Sequence, residues 1–264
     1  MPFADLGERR LHYVRRGTGA PLLLIQGMAG HHRMWGERFL SLLEADFDIV
    51  AFDHRGIGAS DRADEEFTVG DLAEDAAGVL RAVGWDDAHV LGISLGGMIA
   101  QELAVRHPDV IRTLTLGCTY AGPAGGTLEA PGPRRLFEAI HSGDARLSLQ
   151  ASYEANLSPA YREGDHFGAF LDLTLAERVP APVIMMQMRA ALAHDAESRL
   201  REFDKPTLVI HGSADEMITP GNGPHVAGLV PGARLEQLDG VGHLFWLERP
   251  ELTAELVRAH AVNG

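Results

Sequence analysis

The chain has 264 residues, 45% hydrophobic and 23% charged, with a formal net charge of −14. That length and composition suit one large packed domain and exclude global disorder, while the negative charge repels phosphates and argues against nucleic acid as a partner. The single cysteine, Cys118, excludes an intramolecular disulfide and a zinc site built from cysteines. Met1 to Glu8 has no basic stretch leading into an apolar run, and the longest apolar runs are strand-sized. No signal peptide and no membrane span are therefore expected, and a cytoplasmic protein, monomer or homodimer, is the default.

In chain order, short continuous apolar runs alternate with helical patterns. Leu22–Ile25, Ile49–Phe52, His89–Gly92, Thr113–Leu116, Thr207–Ile210 and Ala233–Leu238 read as strands. Most are apolar throughout rather than alternating, as a parallel sheet covered on both faces requires. Between them, Thr68 to Val83 has helical spacing and stops at Gly84, Leu95 to His107 is ended by Pro108, and Pro250 opens a last helix. This rhythm predicts a doubly wound α/β sheet. It breaks between Ala121 and Asp204, where two Gly/Pro clusters are followed by helical patterns and the run Met185-Met186-Gln187-Met188. The expected organisation is a core made of residues 1–120 and 205–264 with a helical lid, 121–204, inserted into it.

Gly92-Ile93-Ser94-Leu95-Gly96 sits between a predicted strand and a predicted helix. A serine there must turn sharply, which glycines two residues before and after it permit, and the helix N-terminus favours a developing oxyanion. Ser94 is thus the candidate nucleophile. Among thirteen histidines, His243 in Gly240-Val241-Gly242-His243 lies on a loop between the last strand and the last helix, placed to act as general base. Asp215, after the strand Thr207–Ile210, is the acid that would hold its tautomer, with Glu216 as the rival carboxylate and Asp239 too close in sequence to reach across the ring.

These residues carry a resemblance. Gln26-Gly27-Met28-Ala29-Gly30, Asp53-His54-Arg55-Gly56-Ile57-Gly58-Ala59-Ser60, the serine elbow, Gly212-Ser213-Ala214-Asp215 and Gly240-Val241-Gly242-His243 together resemble the α/β-hydrolase superfamily, in its lid-bearing serine esterase, enol-lactonase and haloperoxidase-like branch. The resemblance implies an eight-stranded, mostly parallel sheet with the lid between core strands 6 and 7. It implies an oxyanion hole from the backbone N–H groups of Met28 and Leu95. Gln26 stands where the family often has histidine, so an altered hydrogen-bond network is expected around a working hole, and the Asp53–Gly56 loop is expected to be structural.

Serine rather than aspartate at the elbow points to acyl transfer to water and away from epoxide or haloalkane chemistry. The expected activity is hydrolysis of a carboxylic ester or lactone of a small, mainly apolar molecule through an acyl-enzyme, with no cofactor and no metal. Pocket candidates are Met28, Trp35, Leu95, Cys118, Ile218, Leu244 and Phe245, with Met185 and Met188 from the lid. His31 and His32 read as exposed residues at a helix start, with contact to a polar substrate group as the alternative. The same triad would serve C–C bond hydrolysis or perhydrolysis, and a slow-turnover ligand sensor is the alternative outside enzymology.

Overall fold

The computed structural model describes residues 2–264. Its strands are β1 (Phe3–Asp5), β2 (Arg10–Arg16), β3 (Ala20–Ile25), β4 (Phe47–Phe52), β5 (Ala88–Ile93), β6 (Ile111–Gly117), β7 (Thr207–Gly212) and β8 (Arg234–Leu238). They form one sheet in the order β1-β2-β4-β3-β5-β6-β7-β8. From β4 across to β8 every neighbouring pair is parallel, whereas β2 meets both β1 and β4 antiparallel. The winding direction reverses at β3, which has β4 on one side and β5 on the other. The carboxyl ends of β3 and β5 therefore open the crevice in which doubly wound sheets bind ligands.

The helices are α1 (Glu37–Leu43), α2 (Val69–Ala82), α3 (Leu95–Arg106), α4 (Pro131–His141), α5 (Ala145–Asn156), α6 (Pro159–Arg162), α7 (Phe167–Thr174), α8 (Ala181–Leu192), α9 (Glu197–Leu200), α10 (Asn222–Leu229), α11 (Phe245–Glu248) and α12 (Pro250–Asn263). Successive strand residues face opposite sides, and both sides are buried. Leu23, Ile25, Val50 and Phe52 enter the core formed with α2 and α3, while Leu22, Leu24, Ile49 and Ala51 enter the one formed with α1 and α12. This is why these strands are apolar throughout. At the start of α2, the Thr68 side chain accepts from Asp71 N–H and the Asp71 carboxylate accepts from Thr68 N–H, a reciprocal cap.

Helices α4 to α9 all fall between β6 and β7. Among the described residues, no helix is long and apolar enough to cross a membrane. Two glycines illustrate how differently the fold treats the same residue. A Cβ at Gly96, in the first turn of α3, would collide with the backbone carbonyl oxygens of Ile25 and Gln26, whereas one at Gly168, exposed in the first turn of α7, would meet nothing. Gly96→Ala is expected to destabilise the fold by about 1–3 kcal/mol or more. Gly168→Ala should be neutral or stabilising by a few tenths to about 1 kcal/mol. Urea unfolding of the two variants checks this, and equal midpoints would refute it.

Candidate active site

β5 lies between β3 and β6, and its end delivers Ser94 into the crevice. Ser94 adopts φ 54° and ψ −122°, a conformation that L-residues hold only when the surroundings enforce it. Four hydrogen bonds do so. Its N–H donates to Gly117 O at 2.9 Å, and its carbonyl accepts from Gly97 N–H at 2.9 Å, Met98 N–H at 3.2 Å and Thr119 Oγ1 at 2.7 Å. The flanking glycines let backbones meet: a Cβ at Gly92 would collide with Gly96 O. Ser94 is half-buried while Gly92, Ile93, Leu95 and Gly96 around it are buried. The N–H of Leu95, the first residue of α3, is next to the nucleophile position.

After β3 the chain turns at Gly27–Gly30, closed by Gly30 N–H donating to Gly27 O at 3.1 Å, with Ala29 at φ 58°. Gly27 lets this turn approach Ser94: a Cβ on it would lie 3.0 Å from Ser94 Cβ and 3.5 Å from Oγ. Gln26 bonds through both its side chain and its backbone. Its Oε1 accepts from Gly27 N–H at 3.2 Å, and its carbonyl accepts from His54 Nε2 at 2.8 Å.

His31 and His32 are not exposed; they are 0% and 8% accessible. For His32 the reason is Asp53, wholly buried, whose Oδ1 accepts from His32 N–H at 2.7 Å while its oxygens accept from His32 Nδ1 at 3.0 Å and His12 Nδ1 at 2.8 Å. Burial alone would raise the Asp53 carboxyl, but the bonds from His32 and His12 outweigh it and hold it below the ordinary carboxylate range. The Asp53 loop thus pins the segment that follows the turn.

Asp215 and His243 come together on the other side of the crevice. Asp215 Oδ2 accepts from His243 Nδ1 at 2.7 Å, and Oδ1 accepts from the backbone N–H groups of Met217 at 2.8 Å and Ile218 at 3.0 Å. Both side chains are buried, at 3% and 4%. Burial by itself would raise the Asp215 pKa, but the charge of His243 and N–H bonds from His211 and His243 bring it down to about 2. His211 is a partner that sequence reasoning missed: its Nε2 lies 3.3 Å from Asp215 Oδ2 and 2.9 Å from Ile218 O. A histidine inside an apolar strand end gives no periodic signal. Glu216, the rival carboxylate, pairs with Arg135, and Asp239 accepts from Ser213 Oγ.

With Nδ1 committed to Asp215, His243 presents Nε2 as its free nitrogen, the arrangement a general base needs. Cys118 Sγ lies 3.9 Å from that Nε2. Among the described residues Ser94 Oγ makes no hydrogen bond to His243, whose ring partners are Asp215 and Cys118. The remaining expected pocket residues scatter. Leu244 and Phe245 follow His243 and are buried; Trp35 is fully buried, stacked on Phe39 and tilted against Trp246; Ile218 belongs to the opposite core. On α8, Met185 is 45% exposed and Met188 half-buried, because the helix turns Val183, Gln187, Ala190 and Ala191 inward. Within the run Met185-Met186-Gln187-Met188 the buried residue is Gln187.

Two residue groups have metal-ligand spacing, His12/His32/Asp53 and Cys118/Asp215/His243. In the first, the carboxylate oxygens already accept N–H bonds from both imidazoles. In the second, burial and the Asp215 charge push the Cys118 thiol well above its usual range, which keeps it protonated and a poor ligand.

A family model described as alpha/beta hydrolase fold matches residues 20–250. The chain is 30% identical over 267 residues to RutD of Azorhizobium caulinodans, a protein named for carbamate hydrolysis, with 97% of each chain covered. Its structure is similar to that of esterase RhEst1 from Rhodococcus sp. ECU1013, at TM-score 0.83 and 27% identity over 97% of this chain and 95% of that one. It also shares its fold with the enol-lactonase of Burkholderia xenovorans LB400, at TM-score 0.86 and 24% identity over 99% and 100% of the two chains.

The Asp215 environment carries a pH signature. A carboxyl held at about 2 in the fold, against 3.8 unfolded, contributes stability that is complete above the unfolded value and is lost as pH falls through the folded one. The stability difference between wild type and Asp215→Asn should therefore narrow as pH is lowered from about 5 towards 2, by up to about 1.4 kcal/mol per pH unit. Urea unfolding at stepped pH measures it, and two parallel curves would refute it.

Proposed function

The chain belongs to the alpha/beta hydrolase family, and from that premise we propose that it is a serine hydrolase cleaving a carboxylic ester or lactone of a small, mainly apolar molecule. The observation that carries this reading is the buried Asp215–His243 pair, 2.7 Å apart, together with the strained turn that holds Ser94 at the end of β5. In this reading Ser94 Oγ attacks the carbonyl carbon and its proton passes to His243 Nε2. The carbonyl oxygen takes up negative charge against the N–H groups of Met28 and Leu95. Asp215 fixes the Nδ1–H tautomer and stabilises the imidazolium without taking the proton.

Collapse of the tetrahedral species breaks the bond to the alcohol oxygen, which leaves with the proton from Nε2, and an acyl-Ser94 ester remains. Water then gives its proton to His243, attacks the acyl carbon, and releases the acid as Ser94 Oγ recovers the proton. For a lactone the alcohol and acid are two ends of one product. We assign residues 121–204 as a lid over this chemistry and 1–120 with 205–264 as the core. Cys118, Leu244 and Phe245 are then walls beside the base, with Trp35, Ile218, Met188 and Met185 as more distant lining. The names of the relatives, which include an esterase and an enol-lactonase, agree with this substrate class.

A fluorophosphonate probe should label Ser94 and no other residue, as read by peptide mass spectrometry. Ser94→Ala should lose labelling, and its turnover of short-chain p-nitrophenyl esters should fall by at least about a thousandfold. Wild-type activity in Ser94→Ala would remove the serine from the mechanism.

A further inference from the structure

The turn at Gly27–Gly30 is held from an unexpected direction. Its third residue, Ala29, has a positive φ of 58°, and Met28 before it does not, which is type II turn geometry normally served by glycine or asparagine. An alanine there is strained, and rotation of the Met28–Ala29 peptide would relieve it. What holds that peptide is a side chain 158 positions away. Ala29 N–H donates to Gln187 Oε1 at 2.9 Å.

Gln187 lies on α8, within the helical insertion, and is 0% accessible. Because Ala29 N–H is a donor, Oε1 and not Nε2 must face it, and Nε2 is left buried without a partner. Packing alone would favour an isosteric methionine or leucine at such a position, which would leave no amide hydrogens unpaired. The bond to Ala29 is what the amide achieves there. The same insertion also grips the histidine loop: Leu244 N–H donates to Asn156 O at 3.0 Å, and Glu248 accepts from Ser158 N–H and Oγ at 2.7 Å each and from Gly242 N–H at 3.1 Å.

We propose that Gln187 is a positioning residue for the oxyanion hole, so that the helical insertion is a working part of the catalytic apparatus as well as a cover. By fixing the Met28–Ala29 peptide it fixes the turn that presents Met28 N–H to Ser94. This rests on the serine-hydrolase reading and adds to it a dependence of rate on one lid residue.

Two variants test it, with Leu192→Ala, exposed at the end of α8, as a control for altering that helix. Gln187→Met keeps the volume and removes the acceptor; Gln187→Glu keeps an oxygen in the same place. Gln187→Met is expected to lower kcat on a p-nitrophenyl ester by about ten- to a hundredfold with KM within about threefold, and to slow fluorophosphonate labelling in parallel. Gln187→Glu should retain several times the kcat of Gln187→Met, and Leu192→Ala should match wild type. In hydrogen exchange followed by NMR, Ala29 N–H should be protected in wild type and Gln187→Glu and lose protection in Gln187→Met. Unchanged Ala29 protection in Gln187→Met, or lost protection with kcat unchanged, or a loss confined to KM, would overturn the proposal. A wild-type protein that neither labels nor turns over would instead overturn the hydrolase reading, and this inference with it.

Discussion

The strained backbone at Ser94 is the constraint around which the rest of the molecule is arranged. A serine at φ 54° relaxes unless the strand before it and the helix after it are both fixed. β5 is fixed by parallel neighbours on each side, and α3 is pressed against the sheet so closely that Gly96 touches the end of β3. The close approach that forces the elbow also brings the Gly27–Gly30 turn to within van der Waals contact of Ser94. The strain, the placement of the helix N-terminus and the approach of the Gly27–Gly30 turn are therefore consequences of one packing geometry. Loosening the helix–strand contact would release all three together.

The electrostatics repeat a single device on both sides of the crevice. Asp53 and Asp215 are each buried beyond the reach of water and each held by two histidines. A lone buried carboxylate would be driven towards its neutral form, but N–H donors keep both ionised below the usual range. The two sites differ in what is left over. At Asp53 both imidazoles and a backbone N–H serve to tie strands and loop together. At Asp215 one imidazole, His211, is enclosed in the fold, while the other, His243, keeps a nitrogen facing the crevice. In the proposed mechanism this structural motif becomes a chemical one through His243 Nε2.

How much of this was legible follows from range of interaction. The buried strands announced themselves because each residue of Leu22–Ile25 or Ile49–Phe52 faces an apolar core. The helix from Thr68 to Val83 announced itself through the helical spacing of its apolar residues, a signal carried within a few residues along the chain. β1 and β2 gave little signal: they pair antiparallel at the sheet edge, and β2 carries Arg10, Arg15 and Arg16. Ser94, Asp215 and His243 stood out through the glycine-rich turns that local geometry demands. His12, His32, His211 and Gln187 did not, because the burial of each depends on a partner supplied by another part of the fold. Gln187 sat inside a run of methionines whose chemistry suggested an apolar surface, and only the phase of α8 against the core shows which residue is turned inward.

That phase bears on what a lid is physically. At its rim the insertion meets the core through exposed ion pairs, such as Arg33 with Glu177 and Arg189 with Glu66. Such pairs add little net stability, and salt screens them, so they tolerate sliding of one surface over another. Buried polar bonds behave differently. Separating Ala29 from Gln187, or Ser158 from Glu248, strands donors away from water, and a shift of an ångström is enough to lose the bond. The insertion is therefore free to vary at its rim and fixed in register where it meets the Gly27–Gly30 turn and the His243 loop. On the proposed function, whatever substrate its helices select, they select it from a position defined by the loops that carry Ser94 and His243, which links the choice of substrate to the rate at which it reacts.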